Sequence, residues 1–518
     1  MSSPQTIPSL LALLLAVITA LPPAALALHS EPKYARMDVE RERYLARHLL
    51  RRAGFGANRY ELHKALRMGR ARYLEQQLRP ETINDDVAEA RMPPLPGRTD
   101  DSAIFAMRWY ARMVYSRRQL LEKMTLLWHE HFATSVGKVG SYVLMKDQEQ
   151  TLRAHALGRF GAFLVAMIRD AALMYFLDNS YNNGRAVADD GTPIPPNENF
   201  ARELMQLFAL GVHQLHPDGT PVLGADGRPL PAYTERDVRE VARALTGWVV
   251  NYPSSTPEDP TEVVPPPVFY PELHDPGAKT VLGETIPAAE GEEGARDVER
   301  VVDILMRQPT MAPFISKILI QKLATETPSP GYVARVSSVF SATRGDIKAV
   351  VRAILTDGEF YSDEVIRTQY KEPIELLVGA VRALEGRTGG ASLFAWSLPA
   401  GQQLYYPPSV FSFYRPGHKR SLVTHASVIV RDQAADTIAN SYVDGYYDTT
   451  FDARRLIRRH RLGRPDKAVD YLATVLVGAP LREEVRREVI AYIGERVTEE
   501  KFRGAAWLIL CSPDFQVN

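Results

Sequence analysis

Cysteine, net charge and strand-like patterning are nearly missing from this sequence, and each shortage removes a class of protein. A single cysteine in 518 residues, Cys511, excludes an internal disulfide framework and any thiolate metal cluster. Lys plus Arg and Asp plus Glu both number 62, and no basic run breaks the balance, so the electrostatic footprint of a nucleic-acid partner is absent. The 33 glycines and 37 prolines are near average, which excludes collagen-like and low-complexity chains. Past the N-terminus, no uncharged stretch approaches the ~20 residues a bilayer span needs, so no membrane span is expected in the mature chain. What remains is an ordinary folded composition, 45% hydrophobic and 24% charged, long enough for roughly two to four domains.

The N-terminus carries an address. Leu10 to Leu21 is an apolar run too short to cross a bilayer, followed by Pro22-Pro23 and then Ala25-Leu26-Ala27, the small-x-small cleavage pattern of a secretory signal peptide. Met1 to Ser9 carries no Lys or Arg, so the α-amino group is the only positive charge ahead of the run. The expectation is a signal peptide over residues 1–27, a mature chain from near Leu28, and a periplasmic or secreted location.

From Val39 onward the pattern is helical. Leu120, Met124, Leu127 and Trp128 form a stripe at i, i+4, i+7 and i+8. Thr234 with Asp237 predicts a capping box, with Val238, Val241, Ala242 and Leu245 as the buried face behind it. Strand signals are confined to His213 to Ala232, where Pro217-Asp218-Gly219 and Ala225-Asp226-Gly227 predict two tight turns of a small hairpin excursion. Residues 251–296 hold a Pro-rich, acidic stretch that reads as an irregular loop. The expected architecture is all-α: a helical half at 28–250, the loop at 251–296, and a second half at 297–518, closely packed. Within the second half, Ile354 to Phe360 and Ile509 to Phe515 share a helix end, a turn, an acid and Phe, which suggests two similar helical units and gives Cys511 a packing role.

Three segments concentrate groups capable of chemistry. In Trp128-His129-Glu130-His131-Phe132, ~100° per residue puts His131 on the face of the apolar stripe and His129 nearly opposite. In Pro196 to Leu204, Glu203 falls on the stripe of Phe200, Leu204, Leu207 and Phe208, where a carboxylate must be paired, ligated or neutral. An internal partner such as Arg243 is the plainer alternative, and Glu198 with Arg202 fits a surface i,i+4 pair. In the third, Asp178 follows an apolar helical segment and so faces an unfavourable helix dipole, while His274-Asp275 lies on a Gly/Pro-rich loop able to reach a site from outside. Imidazoles and carboxylates are the ligand set of Zn, Mn or Fe. His129, His131, Asp178, Glu203, His274 and Asp275 are therefore the candidate ligands of a divalent metal, with Glu203 or Glu130 to manage a proton. None of the spacings matches His-Glu-x-x-His.

Leu49-Leu50-Arg51-Arg52-Ala53-Gly54-Phe55-Gly56, the Trp-His-x-His-Phe block, and Asn197 to Leu204 with Leu210-Gly211-Val212 occur in order. Tyr233-Thr234-Glu235 with Ala244 to Trp248, His274-Asp275 with Lys279, Pro407-Pro408-Ser409-Val410 and Ser512-Pro513-Asp514-Phe515 come after them. Taken together the chain resembles the large bacterial family called domain of unknown function 1800 over nearly its whole mature length. Glu130 stands where that pattern leads one to expect Asn, and the 213–232 excursion looks inserted. The resemblance implies export, a mostly helical fold, a cell-envelope role in handling an extracellular polymer, and a partner in a second exported protein of the sulfatase- or phosphatase-like type. It implies no catalytic residue. Two functions stay open: a metal-dependent envelope hydrolase, and a non-catalytic export, assembly or binding protein whose polar motifs are structural networks. They differ in whether His131, Glu203 and Asp178 converge or each find a separate partner.

Overall fold

The computed structural model describes residues 38–95, 103–252, 263–415, 417–444 and 447–518. The expected signal segment lies outside them. Helices dominate, and among the described residues only two small two-stranded sheets accompany them. No described helix is long and apolar enough to cross a membrane.

Two compact units make up the chain. The larger comprises Leu74–Asp357 and Gln402–His418; the smaller joins residues 38–73 to Gly358–Gly401 and Lys419–Asn518. These are not the sequential halves 28–250 and 297–518, and buried polar groups explain the difference. In the larger unit the Ile347–Thr356 helix is tied back to the Phe160–Ile168 helix: Phe160 N–H donates to the Gly345 carbonyl at 2.8 Å and Ile347 N–H to that of Gly158 at 3.0 Å. In the smaller unit the Asp38–Arg52 helix finds its partners hundreds of residues later: His48 Nε2 lies 3.0 Å from the Phe360 carbonyl oxygen, Arg51 donates to that of Val477, and Arg52 to Gln369. A buried polar group must be hydrogen-bonded, so these three residues fix which segments share a core.

Local signals translate directly where they are self-contained. Thr234 and Asp237 form the reciprocal capping box of the Glu235–Ala244 helix. The 213–232 excursion closes through bridges at His213–Pro231, Leu215–Pro221 and Leu223–Pro229, with Gly219 and Gly227 both at positive φ in its turns. The helices Ile347–Thr356 and Glu499–Cys511 end in register with the shared motif, and Phe360 and Phe515 are both buried. Cys511 Sγ contacts Asp432 Oδ1 at 2.8 Å, and burial together with that carboxylate pushes the thiol well above its usual range.

Residues 263–296 are more ordered than their composition suggests. Trp248–Val249 pairs antiparallel with Val268–Phe269, and Lys279–Val281 with Glu284–Ile286. Between them His274 and Lys279 are buried against Asp297. The Pro-rich stretch therefore folds around an internal charge cluster instead of forming an irregular loop over its described part.

Candidate functional site

The Gln119–Phe132 helix sits at the centre of the larger unit, where every residue from Gln119 to Glu130 is buried. That arrangement overturns the assignment of faces. His129 is the buried histidine, 1% exposed, and His131 lies at the edge of a cleft. An apolar stripe identifies one buried face; it cannot show that the opposite face is covered too.

On that opposite face the polar groups are satisfied internally. The Tyr405 backbone N–H donates to His129 Nε2 at 3.1 Å, so the ring's proton sits on Nδ1, and burial pushes the imidazole down to about 3. Tyr405 also donates through its hydroxyl to Glu149, which together with Glu122 holds the half-buried Arg153; Arg153 lies 3.0 Å from Glu122 and 2.5 Å from Glu149. Glu130 is engaged by Lys322 on one oxygen and by Gln402 Nε2 at 2.5 Å on the other, and Lys322 donates onward to the Tyr414 hydroxyl.

His131 opens onto a cleft of about 640 Å³. Its Nε2 donates to the Phe208 carbonyl at 3.1 Å, leaving Nδ1 as an acceptor, and burial lowers the ring to about 4. Across the cleft stand Lys317 and Lys322 of the Met311–Leu323 helix, and Phe411, Tyr414 and Arg415 from the 402–418 segment. Three cations face one carboxylate, Glu130, which Lys322 already neutralises. Both histidines are neutral at pH 7, so the cleft presents a net positive, partly aromatic surface.

Glu203 does not line that cleft. The Asn199–Glu203 helix passes into a π-helical stretch, Leu204–Ala209, where Leu210 N–H reaches back five residues to Met205 at 2.9 Å. The extra residue per turn rotates the chain beyond it, so the stripe drawn from Phe200 to Phe208 does not continue on one face. The two helices do meet: His131 touches Phe208 with ring centroids 5.9 Å apart. Glu203 is half-buried, with Oε2 buried and without a hydrogen-bond partner, and burial raises its carboxyl above the usual range against the opposing pull of Arg202.

The remaining candidates lie in separate pairs. Asp178 adopts a left-handed conformation, φ 61°, is exposed, and pairs with Lys138 at 2.8 Å and Asn199 at 3.1 Å. Asp275 takes a bidentate contact from Arg243 at 2.6 and 3.1 Å; burial pushes its carboxyl up, but Arg243, the Gly277 N–H and Lys279 together outweigh burial and hold it low. Arg243 is thus the partner of Asp275 and Glu240. His274 is buried rather than reaching outward; its Nδ1 contacts the Thr246 carbonyl at 3.0 Å and its Nε2 lies 3.3 Å from Lys279 Nζ and Asp297 Oδ2. A Cβ on Gly294 would come within 2.5 Å of the His274 ring, so glycine lets the backbone close over it. Among the described residues no group of three or more His, Cys, Asp or Glu side chains is placed to hold a metal ion.

Sequence reasoning does not anticipate Lys322, Gln402, Tyr405 and Tyr414 as partners of the histidine block. One signal is present: Lys322 falls within Ile318-Leu319-Ile320 and Leu323, an apolar context in which a lysine needs a buried anion.

Among known proteins, a family model described as "Protein of unknown function (DUF1800)" covers residues 48–517. No curated protein and no solved structure matches the chain.

Proposed function

The chain belongs to the DUF1800 family, and because that family carries no assigned activity, we propose from the site and the N-terminal sequence that it is an exported, non-catalytic binding protein of the cell envelope. Its cleft receives an acidic segment of an extracellular polymer. One observation carries this reading: His129 and Glu130 are consumed by Tyr405, Lys322 and Gln402, so of the block only the neutral His131 imidazole faces the cleft with a free ring nitrogen, and among the described residues no free carboxylate or metal-holding group of side chains stands beside it to make it a catalytic pair.

In the cleft, Lys317 and Arg415 supply positive charge, and Phe411, Tyr414 and Phe314 supply apolar surface. Export is supported by the apolar run ending at Ala25-Leu26-Ala27.

The test is equilibrium binding of the full chain to a polyuronate and to neutral dextran. Binding to the polyuronate that weakens with salt, and at least tenfold on Lys317→Glu with Arg415→Glu, is expected. Equal affinity for both polymers, or none, overturns the reading. The metal-hydrolase alternative draws on the unpartnered Oε2 of Glu203. It requires stoichiometric Zn, Mn or Fe in elemental analysis, lost in Glu203→Gln.

A further inference from the structure

A second cavity, of about 210 Å³, lies wholly within the smaller unit. Arg47 and Arg51 are one turn apart on the Asp38–Arg52 helix and both line it. Arg59, at the start of the next helix, adds a third guanidinium, Lys371 an ammonium and His460 an imidazole, against one carboxylate side chain, that of Glu375, and the terminal carboxylate of Asn518. The Glu375 carboxylate is already occupied: one of its oxygens accepts from the Glu372 backbone N–H at 3.0 Å and from Asn518 Nδ2 at 2.9 Å.

Lys371 is the group that demands explanation. It is 5% exposed, its ammonium lies 3.5 Å from the centroid of the Phe515 ring, and among the described residues it makes no ion pair and no side-chain hydrogen bond. Arg51, 8% exposed, spends its guanidinium on the Val477 carbonyl and, among the described residues, pairs with no carboxylate. His460 Nε2 is buried without a partner. A buried charge is costly unless an opposite charge or several hydrogen bonds offset it, and here the charges also repel one another. Burial, Arg51 and Arg367 push the Lys371 ammonium well below its usual range, and burial with Arg367 and Arg47 takes Arg51 down to about 9. An anion in the cavity would relieve all of these at once.

We propose that this cavity binds a tetrahedral oxyanion, a phosphate or sulfate group, free or carried on a small monoester. The donors line one cavity from four separate chain segments and include three guanidiniums and an ammonium, more N–H groups than the two oxygens of a carboxylate would answer and a match for the four oxygens of a tetrahedral anion. The volume exceeds several waters at about 30 Å³ each, and Phe55, Leu62 and Val475 line its apolar part, leaving room for a small organic group.

The experiment uses the full chain. Thermal unfolding and calorimetric titration are run with inorganic phosphate, inorganic sulfate and chloride at matched ionic strength, and with glucose 6-phosphate. Phosphate or sulfate should raise the midpoint where chloride does not. A tighter fit for glucose 6-phosphate places the group on an ester, and equal affinity places it on the free ion. Lys371→Met should leave the unliganded midpoint unchanged or raised, since an uncompensated charge is removed, and weaken phosphate at least tenfold. Should that variant fail to fold, Arg59→Gln, at an exposed position, should weaken phosphate at least threefold. Phosphate and sulfate acting no differently from chloride, or phosphate affinity unchanged in the folded variants, overturns the assignment.

Discussion

Replacing Glu130 by Gln separates scaffold from machinery at the centre of the histidine block. The Glu130 side chain is 2% exposed and that of Lys322 8%, so the pair lies almost wholly outside water. Removing one partner of a buried pair costs about 3–5 kcal/mol, because the other charge stays buried. Glutamine keeps the volume and one hydrogen bond to Gln402 or Lys322, which puts the expected loss near the lower end, about 3 kcal/mol, or roughly two orders of magnitude in the folding equilibrium. The double variant Glu130→Leu with Lys322→Met leaves no charge behind, and it should recover most of that loss. Urea unfolding monitored by tryptophan fluorescence reports on this unit through Trp109 and Trp128, both buried within it, with Trp396 and Trp507 reporting on the smaller unit. If Glu130→Gln unfolds at the wild-type urea concentration, or the double variant costs the sum of the singles, the ion pair is not the structural element inferred.

Three further outcomes rest on single contacts. Asp170 caps the Ala171–Phe176 helix, and burial pushes it up to about 7 despite hydrogen bonds from Leu173 and Gln148. The native state then holds a proton that the unfolded chain releases at its ordinary value of 3.8. The stability contribution is fully present below that value and declines by about 1.4 kcal/mol per pH unit up to the folded pKa. Asp170→Asn, which keeps the cap, should match wild type at pH 4 and exceed it at pH 8; a constant difference in chemical denaturation refutes the shift. Arg202 bridges Glu198 at 3.1 Å and Glu235 at 2.7 Å in a half-exposed setting, so Arg202→Ala should cost about 0.5–1 kcal/mol in the same assay. Cys511, held beside Asp432, should react with a thiol reagent slowly in the native protein and rapidly in urea; fast native labelling contradicts a packing role.

What can be read from the chain alone is whatever a short window contains. The Thr234 cap, the two turns at Gly219 and Gly227, and the helical period all depend on neighbours within a few residues, and all appear where expected. The histidine block misleads because its stripe shows one buried face, while the other is covered by Tyr405 and Gln402, more than 270 residues on. Glu203 reads as part of a continuous face because a π turn leaves no mark in spacing. His274 reads as an outward-reaching loop residue because proline content hides the Lys279–Asp297 pair that buries it. The family resemblance, in contrast, holds over the whole match, since a set of motifs in order needs no three-dimensional partner.

The split composition of the smaller unit matters for a chain made from the N-terminus forward. His48, Arg51 and Arg52 emerge first, and the groups that satisfy them, Phe360, Val477 and Gln369, come 312, 426 and 317 residues later. At translation speeds of about 5–20 residues per second, that interval lasts tens of seconds. Throughout it the Asp38–Arg52 helix can bury none of these side chains without leaving a donor or a charge unanswered. Most of the larger unit, by contrast, is finished once Asp357 has been added. The Asp38–Arg52 helix, the first of the described helices to be synthesised, is thus among the last to reach its native core.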